Sequence, residues 1–300
     1  MVINLTIITV NTLGTSTVST AQRGKMFSKT LQHTLEKALV AEAICQVDRT
    51  DLKYIHNPYS SQPTALVQAL TGTYSVSAWT TTDDSLTLTD EFVYGEHVFD
   101  FERVVAQYDL MADRFDQMAY AVAAALDLWV LNELLENGTG TYSTPAGGFT
   151  TASNIPVIIS NLNAKVMGYA DNYKGRFLVL ENSDTTGLMQ YQMSTGFNYS
   201  DNALNNGFHG HIAGVDIYVV RDSTFVDAAA TSVSGSKTWT NSGHRVFGIK
   251  GVATYAAPRG IQYDEKGVTG KTGKEISVVG YCGFKLWTQK AALVVDITIV

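Results

Sequence analysis

Residues Asp109 to Glu136 read as one long helix, entered directly from a polar, two-stranded ribbon. No other feature constrains the fold as much. The stretch DLMADRFDQMAYAVAAALDLWVLNELLENG carries Met111, Phe115, Met118, Val122, Leu126 and Trp129 at three- and four-residue intervals. That is the spacing of one buried helical face. Asp109 is a predicted N-cap, and no proline interrupts the run. Asn137-Gly138 then supplies residues that tolerate a left-handed backbone, a common helix stop. At about 1.5 Å per residue the rod is roughly 40 Å long. An average helix has only about 11–12 residues, so this one is expected to be a spine. A membrane span needs about 20 predominantly apolar residues, and buried charges there are rare. Asp127 and Glu133 lie inside this run, whose periodicity is amphipathic, so a helix buried in protein is expected and no membrane partner.

Three hundred residues suffice for one large domain or two modest ones. Charged residues make up 16% of the chain, against about 25% in an average domain. Thr, Ser, Asn, Gly and Tyr take their place, and such a surface is less protected against association. This suits faces that meet other subunits, and a lectin-like surface has similar chemistry. The net charge of −7 excludes a global basic field for nucleic acid. Arg23, Lys25 and Lys29 form the one local basic run, read as a solvated helix start, with contact to a nucleic acid or an acidic partner as the alternative. Cys45 and Cys282 are too few and too far apart for a disulfide framework or a zinc site. The apolar N-terminus VINLTIITVNTLG lacks a preceding positive region, so no secretory signal is expected and synthesis is placed in the cytoplasm.

Along the chain, residues 1–19 look like an extended arm. Phe27, Leu31, Leu35 and Leu39 predict an amphipathic helix over Arg23 to Ala43, with a stripe narrow enough to need a surface to lie on. Tyr54 to Pro63 reads as a loop by its Asn-Pro and Ser-Ser content. From Thr73 the period becomes two: Tyr74, Val76 and Ala78, then Leu86 and Leu88, with TTTDDS between them as a polar turn. Glu91 to Phe101 is a further pairing segment. Thin ribbons with one apolar side are not stable alone in water. They must be covered by their own body or by a neighbouring copy. After Gly138 a flexible stretch leads to a helix over Ile155 to Tyr169, then strands at Arg176 to Leu180 and Ile212 to Val220, the latter turned at Gly214. Beyond Arg245 the chain is β-rich to its end. Helices and strands mix without βαβ alternation, so the class is α+β.

That order, with HVFDFERVVAQYDLMADRFDQMAYAVAAALDLWVLNELLENG at its centre, resembles the major capsid proteins of tailed bacteriophages, the Hong-Kong-97 or Johnson fold. GYCGFKLWTQKAALVVDI resembles the family's closing return to the peripheral domain, and AGVDIYVVRD at Ala213 to Asp222 its axial-domain strand. The resemblance implies an N-terminal arm with a short helix over 1–64 and an extended hairpin loop over 65–108. It further implies a discontinuous peripheral domain, 109–140 with 255–300, and an axial domain over 141–254. No long charged scaffolding segment precedes the arm, so a separate scaffolding protein or a processed precursor is expected.

Enzymatic chemistry is not written in the chain. His209-Gly210-His211 could turn both imidazoles to one side of a strand. Zinc wants three or four ligands, and nothing announces the rest, so no metal and no cofactor are assigned. Gly270-Lys271-Thr272 fails as a phosphate loop, because Glu265 occupies the first glycine position and a strand follows. Asp83, Asp84, Asp90 and Glu91 fit a solvated hairpin tip better than an acid–base pair, since turns favour aspartate. No catalytic residue is assigned.

The resemblance implies a structural subunit, not an enzyme, that assembles with itself into pentamers and hexamers of an icosahedral head in the virion. Double-stranded DNA would be contacted non-specifically, and a scaffolding protein, a portal and decoration proteins are the other expected partners. Candidate inter-subunit contacts are Arg23, Lys25, Phe27, Asp83, Asp84, Leu86 and Leu88. The expected spine-helix core is Phe115, Met118, Val122, Leu126 and Trp129. Alternatives are an encapsulin-type compartment, a tail or decoration protein, and a β-rich binding module.

Overall fold

The computed structural model describes residues 40–49, 54–60, 80–88, 90–100, 110–167, 175–195, 208–227, 239–258, 261–267, 270 and 272–300. In chain order these form α1 (Val40–Ile44), β1 (Gln46–Asp48), β2 (Tyr54–Ser60), β3 (Thr81–Thr87), β4 (Asp90–Val98), α2 (Leu110–Glu136) and β5 (Gly140–Ser143). There follow α3 (Asn154–Met167), β6 (Arg176–Glu181), α4 (Thr185–Thr195), β7 (Phe208–Ile212), β8 (Val215–Val220) and β9 (His244–Ile249). The chain closes with β10 (Ala253–Ala256), β11 (Ile261–Gly267), β12 (Lys274–Leu286) and β13 (Val294–Thr298). The chain forms two compact units, one of residues 1–37, 91–126 and 260–280, the other of 38–90, 127–259 and 281–300.

In the first unit, the N-terminal half of β12 pairs antiparallel with β11, from Gly267↔Lys274 to Ile261↔Gly280, and also with β4. Ile276, Val278 and Gly280 share one face of that strand by alternation, and Ile276 and Val278 are buried. At Gly280 an added Cβ would lie 3.4 Å from Val122 and 3.6 Å from Leu126, so the missing side chain lets α2 come down onto the sheet. Tyr263, opposite Val278, meets Phe115 edge to face at 5.2 Å. The sheet face of this unit is therefore closed by the first half of α2.

The second unit is built on a mixed six-stranded sheet of order β5-β13-β9-β6-β8-β7. β5–β13 and β6–β8 are parallel, the remaining pairs antiparallel. Its central strands β6 and β9 are buried from Phe177 to Glu181 and from Arg245 to Ile249. RFLVLE is apolar without alternation because both of its faces are covered. α3 buries Ile155, Ile158, Ile159, Leu162 and Val166, one stripe of a 3.6-residue period. α4 approaches the turn at Gly148–Thr150 so closely that a Cβ on Gly187 would lie 2.2 Å from the Phe149 carbonyl oxygen. Between β7 and β8, Ala213 (φ 49°) and Gly214 (φ 81°) make a two-residue left-handed turn. The same unit holds β1 paired with β10, β10 paired with the end of β12, and the ribbon β2–β3.

α2 is the expected spine. Met118, Val122, Leu126 and Trp129 are buried, and Phe115 is half-buried against Tyr263. From Trp129 to Leu135 the helix is buried all round, which the amphipathic pattern of its first half did not foretell. By length and composition alone it could cross a membrane, but both of its inner charges are engaged by the chain. The Asp127 carboxylate accepts from the amides of Val40 and Ala41, and Glu133 accepts from the indole of Trp239.

Four expectations need correction. Tyr54 to Ser60 is not loop but strand β2. A two-stranded ribbon tolerates Pro58, because both of its strands are edges. The expected TTTDDS turn is mostly strand β3, which pairs back with β2 and not onward with β4. The stretch after Gly138 contains β5, a short edge strand whose partner β13 comes from the far end of the chain. α4 went unread, since TTGLMQYQMST shows no clean apolar stripe. Arg23, Lys25, Phe27, Asp109 and the segment carrying Tyr74, Val76 and Ala78 lie outside the described residues, as does most of the expected N-terminal helix.

Candidate functional site

The ribbon β2–β3 and its root hold four of the candidate inter-subunit contacts, Asp83, Asp84, Leu86 and Leu88. Antiparallel register runs from Tyr54↔Thr87 to Ser60↔Thr81, placing Ile55 opposite Leu86 and Asn57 opposite Asp84. Strand alternation turns Ile55, Asn57, Leu86 and Asp84 to one face and Tyr54, His56, Pro58, Asp83 and Ser85 to the other. The first face is the one held at home. Leu86 is buried with Ala256 and Trp287, and Ile55 and Leu88 pack partly against the same cluster. Gly283 makes that close approach possible: a Cβ there would lie 2.9 Å from Leu88 Cδ2 and 3.3 Å from Leu86 Cδ1. Trp287 is oriented by its indole N–H, which donates to Thr254 Oγ1 at 3.0 Å.

Asp84 adds the polar part of the root. Its Oδ2 accepts from the Thr288 amide and the Thr288 hydroxyl, both at 2.9 Å, and its Oδ1 lies 3.1 Å from Lys285 Nζ. Thr288 opens the 3-10 turn Thr288–Leu293, and Trp287 before it makes no side-chain cap. Asp84 thus supplies the missing cap from another element, since carboxylates stabilise helix N-termini. Partial burial alone would raise this carboxyl. The bonds from the Thr288 amide, Lys285 and the Thr288 hydroxyl outweigh it and hold the pKa below the usual carboxylate range.

The outer face of the ribbon is different. His56 Nδ1 lies 2.7 Å from Asp83 Oδ2, and Ser60 and Thr81 share a hydrogen bond at 3.2 Å, both within the ribbon itself. Tyr54, His56, Pro58, Asp83 and Ser85 are exposed.

Of the candidate contacts, then, Asp83 stands on the exposed face. The Leu86 side chain is buried in its own unit, and that of Leu88 is partly so. Asp84 is no free turn residue but a bonded anchor. Arg23, Lys25 and Phe27 are outside the described residues.

Elsewhere several polar clusters are bonded within the chain. Arg245 pairs with Glu181 at 2.9 Å and with Asp184, all three buried, while Glu181 Oε1 also accepts from the Thr224 and Phe225 amides. Such a cluster is stable only when each charge is paired and bonded, as here. Asn132, fully buried, donates to the carbonyls of Leu128 and Thr224 and accepts from the Val226 amide and Asn241. His211, half of the earlier metal candidate, turns Nδ1 to Asp216 at 2.7 Å, and Lys250 reaches the other oxygen of that carboxylate and the Tyr218 hydroxyl. The His209 side chain lies outside the described residues. Among the described residues no group of three or more His, Cys, Asp and Glu side chains converges on one point. Cys45 and Cys282 are buried and joined in no disulfide, and burial, then the Asp127 charge, pushes the Cys45 thiol far up. Such thiols are unreactive.

The model of the phage capsid protein family matches residues 85–295 of the chain. No curated protein sequence matches it. Among solved structures, the capsid of cyanophage P-SCSP1u superposes with a TM-score of 0.69 at 12% identity, over 92% of each chain. A structure from Mycobacterium phage Che8 gives 0.69 at 16% identity, over 91% of this chain and 96% of that one. The capsid of Helicobacter pylori bacteriophage KHP30 gives 0.67 at 10% identity, over 98% of this chain and 99% of that one. At such identities the likeness carries the fold, and the family match carries the membership. The chain belongs to the phage capsid protein family: it is a bacteriophage major capsid protein of the Hong-Kong-97 type, a structural subunit of the icosahedral head in the virion and not an enzyme.

Proposed function

We propose that this subunit forms the pentamers and hexamers of a head enclosing double-stranded DNA, using the ribbon β2–β3 and the N-terminal arm to reach neighbouring copies. The observation that carries this is the ribbon's construction. Among the described residues it is two strands wide, packs on its own unit at the root, and is exposed along the face of Tyr54, His56, Pro58 and Asp83. Two-stranded ribbons are marginal alone, so a projecting one gains its order from what it lies against. In a closed shell each modest contact is repeated around rings and then around the particle, so no single one needs to be strong.

Residues 141–254 serve as the axial domain around the capsomer axes, 109–140 with 255–300 as the peripheral domain, 65–108 as the extended hairpin loop and 1–64 as the arm. The net charge of −7 suits a container that does not grip the DNA entering it. The other partners in this reading are a separate scaffolding protein, a portal and decoration proteins, with non-specific contact to the packaged DNA.

The test is the content of purified, nuclease-treated particles. Protected double-stranded DNA of uniform length is the expected result. Particles filled instead with a protein cargo and devoid of DNA overturn this reading in favour of an encapsulin-type compartment.

A further inference from the structure

We infer that Asp84 is the positioning residue of the ribbon: its carboxylate fixes the angle at which β2–β3 leaves the body of the subunit. At the root, the side chain of Leu86 is buried in an apolar cluster with Ala256 and Trp287, and Ile55 and Leu88 pack partly against it. Apolar packing is non-directional and lets a thin ribbon rock on it. Asp84 lies two residues further out than Leu86 on the same face, about 7 Å along the strand. There it makes three bonds with fixed geometry, to the Thr288 amide, the Thr288 hydroxyl and the Lys285 ammonium. Two of them use one oxygen and the third the other, so the carboxylate plane is set as well as its position. Further out, the described side-chain bonds of Asp83 and Thr81 go to His56 and Ser60, across the ribbon and not to the body.

A second support at a distance from the first converts a pivot into a clamp. From Asp84 to Thr81 is about 10 Å of strand, so a tilt of about 20° at the root moves Thr81 by roughly 3–4 Å. Contacts between copies depend on shape complementarity at a finer scale than that. The lowered pKa of Asp84 extends the charged, clamped form further into the acid range than an ordinary carboxyl would hold it. The second half of this inference rests on the ribbon reaching a neighbouring copy; the first half does not.

The test compares the wild-type chain with Asp84→Ala, Asp84→Asn and Lys285→Met, taking Thr82→Ala as the control on the same strand. Amide hydrogen exchange on unassembled subunit reads the clamp. Amides of β2 and β3 are expected to exchange about 10-fold faster in Asp84→Ala and less so in the other two, with β9 and β13 unchanged. Unchanged ribbon exchange in all three variants overturns the clamp. If Asp84→Ala also loses protection in β9 and β13, it has unfolded the unit, and Lys285→Met, which keeps both Thr288 bonds, decides. Electron microscopy of assembled particles reads the consequence: a several-fold smaller fraction of closed shells, or an altered diameter, for the Asp84 variants alone. Faster ribbon exchange together with normal shells in normal yield overturns the positioning role in assembly. Wild-type particles holding protein instead of DNA count against the proposed head function and leave the clamp standing.

Discussion

The Asp127 carboxylate, about two-thirds of the way along the spine helix, lies 2.7 Å from the amide nitrogen of Ala41, 86 residues earlier in the chain. It also accepts from the Val40 amide at 3.3 Å. These are the open first-turn donors of α1, which other helices satisfy with a local Ser, Thr or Asp. Here the cap comes from a remote helix, so one buried charge ties α1 to α2. Replacing Asp127 by Ala removes a cap and strands buried donors. The expected loss is about 2–4 kcal/mol in urea unfolding of the unassembled subunit. A loss under about 0.5 kcal/mol would mean that water satisfies those amides.

Trp129 is buried and meets Phe284 edge to face at 6.2 Å. Trp129→Ala should cost about 3–5 kcal/mol in the same unfolding measurement, because the cavity has little room to collapse inside a helix buried all round. A cost near that of a surface substitution would place the buried face of α2 elsewhere.

Arg245 neutralises two buried carboxylates. Arg245→Met leaves Glu181 and Asp184 facing each other without a cation, at an expected cost of about 3–5 kcal/mol. Adding Glu181→Gln and Asp184→Asn to that variant should recover part of the loss, since the uncompensated charge is then gone. A triple variant no more stable than Arg245→Met would show that shape, not charge, sets the cost.

Asp216 and Lys250 give the unit a testable pH dependence. Partial burial alone would raise the Asp216 carboxyl, but bonds from Lys250 and His211 hold it below its ordinary value. Burial alone would lower Lys250, but its bonds to Asp216 and Tyr218 raise it. A depressed acid contributes stability above its unfolded pKa and loses it as the pH falls through the folded value. A raised base contributes below its unfolded pKa and loses it as the pH rises through the folded value. The Tm gap between wild type and Lys250→Met should therefore be level across the neutral range. It should narrow below the ordinary carboxylate range and above the ordinary lysine range. A gap that widened at either end would have the wrong sign for this pair.

Much of the architecture is legible locally. The spine helix follows from its own period, and Met118, Val122, Leu126 and Trp129 are buried as that period requires. RFLVL and VFGI are read as strands because both faces of β6 and β9 are covered. What escapes a local reading depends on distant partners. β2 hides behind an Asn-Pro pair that only an edge strand accepts, and its partner lies beyond a segment of some twenty residues. Asp84 looks like a turn aspartate, yet its bond to Thr288 spans 204 residues of sequence. Asp127 and Glu133 look like exposed helix charges, and their partners lie on either side of α2 in the chain, at Val40 and Trp239. Buried polar side chains are unreadable in a single sequence because their burial is tolerable only with a partner that the sequence does not point to.

Single-particle cryo-electron microscopy of the particles formed when this chain is produced with its own head proteins tests the central claim most directly. Closed icosahedral shells of uniform diameter are expected, with pentamers and hexamers of this subunit and each β2–β3 ribbon lying against a neighbouring copy. Open tubes, isolated rings or a homogeneous small oligomer would contradict that claim, as would closed shells in which the ribbon touches only its own subunit.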